Sequence, residues 1–526
     1  MTSILKYLNR ALLVLLLAAF AACSDNEGGN ESNGNGDDGN TETPADGDTY
    51  GYIKDTNGNP VEGVVVSDGY SCTATDAEGR YALTRNADAG FVFYSLPSAY
   101  KVSVDKTYKL PRFFARLQAG TARYDFTLEA LATPEKRFDL ICIGDPQINE
   151  ASHAVRFKEE AGREIREYAA SAGVPCYGIT LGDHVNNKWT LFTNMVVALQ
   201  PEQTGVPVFA TIGNHDHEFP TADEKAARAK YESYFGPVDY SFNRGDVHVV
   251  SMDNVIHSCK ASADYEGGFT AAQYAWLKQD LSFVPKDKMG ILCVHIPFRG
   301  GWGTNSAHTD ADKYYDEVLD LLSQYEYAAI MSAHTHSNIN YIHRKNGKEI
   351  FEHVTGTTCG AWWRSTVCTE GTPIGFGLYR IDGNRMEEWA YRSVRHDEQF
   401  QIRLYRASDT FVGGAKYRFK QTGADQIVAN IWNWDPSWTV NVYENDVLSG
   451  QMTRNSDIDA WTVAYHIGLL NNTDSYRKSS DHMFHYTLKN PAAAVRVEAI
   501  DRFGNKYEQT VFTDPAEHPG DFHADF

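Results

Sequence analysis

Thiols are scarce in this chain and carry no pattern. Of 526 residues only 8 are cysteine, and no two form a CxxC pair, so the spacing that marks a thiolate zinc site is missing. Beyond Cys23 in the leader there are Cys72, Cys142, Cys176, Cys259, Cys293, Cys359 and Cys368. Cys142 and Cys293 sit inside apolar runs, where a free thiol acts as a small hydrophobe. Cys359 and Cys368 are the nearest pair for a disulfide. Clustered basic residues are missing too: past the first ten positions there is no Lys/Arg run, and the formal net charge is −21. Affinity for a nucleic-acid backbone or an anionic membrane surface needs clustered cations, so no nucleic-acid partner is expected. Long apolar runs are lacking as well. The stretch 11–22 falls short of the ~20 residues a membrane-spanning helix requires. Hydrophobic and charged fractions of 42% and 22% are those of a soluble globular protein. The length exceeds what one core organises and implies about three domains.

The N-terminus reads as an export signal. Lys6 and Arg10 precede the apolar run, which ends in Phe20-Ala21-Ala22-Cys23-Ser24. Small residues followed by Cys resemble the lipobox of bacterial lipoproteins. That resemblance implies removal of residues 1–22, lipidation of Cys23, and an exported protein held on the periplasmic or outer-membrane surface by its lipid anchor alone. Residues 24–49 are Gly, Asn, Asp, Glu, Ser and Thr with almost nothing apolar. Such a stretch cannot bury enough surface to fold, so 23–49 is expected to be a flexible acidic tether.

Three further regions follow. Residues 50–131 carry short strand-like runs separated by turns such as Asn57-Gly58-Asn59-Pro60 and Asp76-Ala77-Glu78-Gly79, which predicts a small β-sandwich. Its order of strand, Gly/Pro turn and return resembles prealbumin-like or carboxypeptidase-regulatory-like modules. Residues 132–395 alternate strand and helix signals. Phe157, Ala161, Ile165 and Tyr168 recur at helical spacing, and Thr270-Ala271-Ala272-Gln273 has the form of a capping box. Residues 396–526 return to β patterning. There Trp432, Trp434 and Trp438 suit either core packing or a carbohydrate-stacking face.

The middle region carries the chemistry. Apolar runs 138–143, 176–181, 206–212, 291–294 and 328–331 each lead straight into polar, metal-competent residues: Asp145, Asp183, Asn214, His295, and His334 with His336. In α/β folds ligands gather at the carboxyl ends of strands, so these side chains can converge on one rim. Asn214-His215-Asp216 sets an amide oxygen, an imidazole and a carboxylate side by side: a ligand, an acid and an orienting group. Oxygen and imidazole donors without thiolate suit Mn²⁺, Fe or Zn²⁺. Two such ions ~4 Å apart, bridged by a carboxylate, clamp the attacking and leaving oxygens of a phosphoryl transfer.

Gly144-Asp145-x-Gln147, Gly182-Asp183, Gly213-Asn214-His215-Asp216, His295 and Ala333-His334-Thr335-His336 resemble, in order, the five blocks of calcineurin-like metallophosphoesterases. The chain looks most like the exported bacterial subgroup with a β module before the catalytic domain and a β domain after it. The resemblance implies an α/β fold: a central β-sandwich flanked by helices, with a small N-terminal β-sandwich and a C-terminal β-rich domain. It implies two divalent metal ions. One would be held by Asp145, Asp183 and His336 with Gln147 nearby, the other by Asp183, Asn214, His295 and His334. His215 would protonate the leaving oxygen, held by Asp216. Gln147 stands where the family usually has His, which implies a looser first metal, and Ala333 stands where it has Gly. His184 and His217 are read as structural. Arg299 is a candidate for binding a phosphoryl oxygen, and Trp362, Trp363 and Arg364 for walling the pocket. The expected activity is hydrolysis of a phosphoester, monoester or diester. The alternative is a glycan-binding surface lipoprotein with a degenerate site.

Overall fold

Strand Arg137–Ile143 shows how the core is built. Its residues from Phe138 onward are buried, and they divide by parity. Leu140 and Cys142 belong to one hydrophobic cluster, Ile141 and Ile143 to another. Successive side chains of a strand point to opposite faces, so this strand lies in a sheet covered on both sides. The computed structural model describes residues 47–299, 313–407, 423–470 and 477–512, all within one compact unit, Pro44–Phe526. The expected signal, lipidation site and most of the tether lie outside the described residues.

Two sheets form the catalytic region. The first has five strands in the order Val208–Thr211, Cys176–Leu181, Arg137–Ile143, Gly375–Asp382, Arg385–Ser393. The second has six, in the order Tyr240–Arg244, Val247–Ser251, Met289–Cys293, Tyr327–Ser332, Lys348–Val354, Ile339–Lys345. One core joins the sheets, with Leu140, Ile179 and Leu181 sharing a cluster with Val249, Ile291 and Ile330. The other core packs Ile141 and Ile143 against Phe157, Ile165, Phe192 and Val196 of the outer helices. The result is the expected α/β sandwich flanked by helices. Thr270 caps helix Ala271–Ser282 with Gln273 in a full capping box. The amphipathic helix departs from regularity: a π-helical turn, Lys158–Gly162, interrupts it between Ala151–Phe157 and Arg163–Ser171. The turn buries Glu160, whose carboxylate meets Arg156 at 2.9 Å and Arg395 at 2.6 Å.

Before this region stands a small β module, with sheets of three and four strands between Thr49 and Leu128. After it, two four-stranded sheets enclose a third core containing Leu404, Ile427, Val442 and Val497. The aromatic run of the C-terminal domain is packing rather than a stacking face. Trp432 and Trp438 are buried, and Trp434 lies against Phe484 under Arg454. Arg403 sits over Trp432 and Trp461, meets Asp459 at 3.3 Å, and donates to the Gly371 carbonyl of the catalytic region at 2.7 Å. The cysteines among the described residues are all free thiols, Cys359 and Cys368 included, so the nearest pair forms no disulfide. Both lie in the interior, where burial pushes the Cys368 thiol up to about 12 and a thiol serves as packing.

Candidate metal centre

Five of the strands end at the same rim. Past Ile143 the chain places Asp145 and Gln147, past Leu181 it places Asp183, and past Thr211 a short 3₁₀ turn holds Asn214, His215 and Asp216. From the second sheet come His295, after Cys293, and His334 with His336, after Ser332. The backbone bends sharply to do this: Asp145, Gln147, Asp183, His334 and His336 have φ of 37°, 35°, 54°, 65° and 56°. Such values cost a non-glycine residue about 1–3 kcal/mol each and cluster where function over-determines geometry. Two glycines make the approach feasible. A Cβ on Gly182 would strike the His295 ring, and one on Gly213 would strike the Asp183 carboxylate.

The side chains converge. Two ligand groups, Asp183-His295-His334 and Asp145-Asp183-His336, each have their donor atoms within 4.8 Å of one another, all buried. Asp183 is common to both. His295 Nε2 lies 3.4 Å from Asp183 Oδ1, 3.0 Å from Asn214 Oδ1 and 3.1 Å from His334 Nδ1. Its Nδ1 faces the Leu181 carbonyl at 2.7 Å, so Nδ1 donates there and the Nε2 lone pair points inward. Asp145 Oδ2 accepts from the His334 amide at 3.0 Å, and Asp145 Oδ1 is 3.5 Å from His336 Nε2. Gln147 directs its Nε2 to Asp183 Oδ2 at 3.1 Å.

The donor set fits divalent cations. Asp145 Oδ1, Gln147 Oε1 and His336 Nδ1 are buried with no hydrogen-bond partner among the described residues, and buried polar atoms are rarely left so. Two buried carboxylates side by side also need positive charge. The electrostatics agree. Burial, reinforced by the Asp183 charge, holds the Asp145 carboxyl well above the ordinary range. Burial also acts to raise Asp183, but the imidazoles of His295, His215 and His334 outweigh it and hold its carboxyl well below. Burial acts to lower His295, and Asp183 and Asp145 reverse that, pushing it up to about 9. Burial, then the charge of Lys478, draws His336 down to about 3.

The remaining candidates separate. His215 is half-buried; its amide donates to Asp183 Oδ1 at 2.9 Å and its Nδ1 meets Asn187 Oδ1 at 2.8 Å. Asp216 does not orient His215. Its carboxylate is filled by His184 Nδ1 at 2.9 Å and by the amides of His184, Val185 and Gly213. It therefore braces the Asp183 loop against the Asn214 loop. His184 closes on Thr180 Oγ1, and His217 bridges the Gly213 carbonyl and Asp253, so both are structural. Trp362 packs on His336 with ring centroids 5.0 Å apart. Trp363 instead is buried and donates Nε1 to the Pro146 carbonyl at 2.8 Å, supporting the Asp145 loop from beneath. Arg364 and Arg299 are exposed, and Arg299 lies over Tyr341.

Three contributors escaped the sequence reading. Asn254 Oδ1 accepts from the His295 and Ile296 amides at 3.1 and 3.0 Å. It follows strand Val247–Ser251 as the other site residues follow theirs, so the same strand-end pattern would have found it. Tyr265 Oη lies 3.3 Å from His334 Nε2, and Asn187 meets His215. Neither stands at a strand end of the two main sheets.

An α/β sandwich whose strand ends gather two candidate ligand groups around one shared carboxylate defines a class, that of proteins with a metal-binding site at the sheet rim. Three family models match in sequence: the N terminal of calcineurin-like phosphoesterase over residues 48–131, calcineurin-like phosphoesterase over 138–338, and the C terminal of calcineurin-like phosphoesterase over 352–507. The chain belongs to the calcineurin-like metallophosphoesterase superfamily. It is similar to two Arabidopsis thaliana proteins. Purple acid phosphatase 23 is 26% identical over 181 residues, 31% of this chain and 36% of that protein. Purple acid phosphatase 18 is 25% identical over 182 residues, 32% of this chain and 38% of that one. The chain thus spans little more than a third of the length of these curated relatives. Among solved structures, a purple acid phosphatase from yellow lupin seeds aligns at 14% identity, covering 50% of this chain and 53% of its own, with a TM-score of 0.35. A 5'-nucleotidase precursor from Thermus thermophilus aligns at 10% identity, covering 49% and 54%, with a TM-score of 0.30.

Proposed function

We propose that this protein is a metal-dependent phosphoester hydrolase working with two divalent ions. The observation that carries the reading is Asp183, one buried carboxylate common to both ligand groups. Asp145, Asp183, His336 and Gln147 would hold one ion, and Asp183, Asn214, His295 and His334 the other. When bound, such ions polarise the phosphoryl group and make water a nucleophile near neutral pH. They also supply the attraction for an anionic ester that a chain of net charge −21 otherwise lacks.

The protein's own groups do the rest. A water oxygen bonds to phosphorus as the P–O bond to the alcohol breaks, and the departing oxygen takes a proton from His215. The proton lost by the water returns to the imidazole or to solvent, leaving alcohol and phosphate. Trp362 walls the His336 side. The glycan-binding alternative finds no support in the tryptophans of the C-terminal domain: Trp432, Trp438 and Trp461 are buried, and Trp434 is partly buried against the third core.

The test is hydrolysis of nitrophenyl phosphate and bis-nitrophenyl phosphate by chelator-treated protein, before and after adding Mn²⁺, Fe²⁺ or Zn²⁺. The reading expects turnover of at least one ester that appears only with metal. Turnover of neither ester with any ion would sink it.

We also propose attachment to the bacterial cell envelope through a lipid on Cys23, on the strength of the apolar run 11–22, the small residues before Cys23 and the acidic stretch after it. Cys23→Ala should move the protein from the membrane fraction to the soluble fraction. Unchanged fractionation, with no lipid mass on the unaltered protein, would refute the anchor.

A further inference from the structure

Aromatic rings run along one flank of the metal centre, from His215 to His334. Trp189 donates Nε1 to the His215 carbonyl at 3.1 Å, and its ring meets Phe219 edge-on with centroids 5.2 Å apart. Phe219 lies beside His257 at 6.0 Å and His257 beside Tyr265 at 6.4 Å, with planes only 17° and 13° apart. Tyr265 then closes on His334, its ring edge-on at 5.6 Å and its Oη 3.3 Å from Nε2. The series therefore begins and ends on residues of the candidate centre.

These rings do not belong to the packing of the fold. Phe219 and Tyr265 are half-buried and stand in none of the hydrophobic cores, and only His257 between them is buried. Their positions are nonetheless fixed. Strands Val255–His257 and Tyr265–Gly267 form a hairpin that pairs His257 with Tyr265, and His257 Nδ1 accepts from the Cys259 amide at 2.8 Å. Burial, then the charge of His217, draws His257 down to about 4, so the middle ring is neutral at pH 7. A rigid, uncharged aromatic face suits a planar apolar group: ring–ring contact adds to the area buried, and little side-chain freedom is lost on binding. It offers no cation to a second phosphate.

We propose that Phe219 and Tyr265, with His257 between them, form the subsite for the alcohol half of the ester, and that the substrates are phosphoesters of alcohols carrying a planar aromatic ring. This rests on the reading of the centre as a phosphoester hydrolase, which places the departing alcohol beside His215.

The experiment compares benzyl phosphate with cyclohexylmethyl phosphate on the full chain loaded with metal. The two alcohols leave with similar difficulty and are both apolar; they differ in the flatness of the ring. The unaltered protein should favour the benzyl ester about three- to tenfold in kcat/KM, the range an aromatic pair contributes beyond its buried area. The preference should lie in KM, because the contact is made equally before and during reaction. In Phe219→Leu, which keeps apolar bulk and loses the flat ring, the ratio should fall to about one. Tyr265→Phe retains the ring and should retain the ratio. Should Phe219→Leu not fold, Tyr265→Leu stands in for it, with the same expected loss. A ratio near one in the unaltered protein, a ratio unchanged in the leucine variant, or one lost in Tyr265→Phe would overturn the proposal. The parent reading fails separately: if neither these esters nor nitrophenyl esters turn over with any ion, the centre is not a phosphoester hydrolase. Turnover of both with a ratio near one sinks the subsite alone.

Discussion

Replacing Asp183 with Asn should abolish hydrolysis and remove metal while leaving the fold in place. Asp183 is the side chain on which both ligand groups depend, and its Oδ1 accepts the His215 amide while its Oδ2 accepts from Gln147. An amide of the same size retains one acceptor oxygen and loses the charge. Without that charge the two groups lose the anionic donor they have in common. A two-ion centre supplies several kcal/mol of transition-state stabilisation, so a loss of ~4 kcal/mol is roughly a thousandfold in rate. Metal analysis of the purified variant should fall for both ions together, with an unfolding midpoint close to that of the chelator-treated parent. A variant that kept both ions and its rate would show that Asp183 bridges nothing.

His215→Ala should produce the second-largest effect, and a selective one. Its backbone amide and carbonyl contacts survive the change, as does Asn214 beside it, so both ions should remain. What disappears is the ring between Asn187 and the reacting centre. General-acid assistance is worth about 10²–10⁴-fold for a poor leaving group. An alkyl phosphate should slow by that factor, whereas a nitrophenyl ester, whose anion leaves with little help, should slow far less. Kinetics on the two ester classes with metal content measured in parallel decides the matter. Equal losses at constant metal would assign His215 to charge stabilisation, and loss of metal would make it a ligand.

The sequence disclosed this site because its residues sit where buried strands stop. Runs such as 176–181 and 206–212 are mostly apolar, a pattern forced by burial on both faces of a sheet, and each delivers a polar residue at a predictable position. That regularity made Asp145, Asp183, Asn214, His295, His334 and His336 legible together. What lay beyond it was set by tertiary contacts with no local signature. Asp216 and His215 are neighbours in sequence, yet the 3₁₀ turn sends one carboxylate inward to His184 and leaves the imidazole to Asn187, 28 positions earlier. Trp362 and Trp363 are likewise adjacent. Their positive φ values, 53° and 65°, turn one ring onto His336 and the other beneath Pro146. The tryptophans of the C-terminal domain were ambiguous for a related reason, since composition cannot say which face of a strand meets a second sheet.

Metal titration of chelator-stripped protein, followed by calorimetry with hydrolysis of a phosphate ester measured at each step, tests the central claim most directly. The account predicts two ions per chain taken up in two distinguishable steps, because Gln147 offers a neutral amide where an imidazole would bind more strongly. The weaker step should belong to the Gln147 side, and hydrolysis should reach its maximum only as that step is completed. Full activity with a single ion bound, or undiminished activity with none, would contradict it.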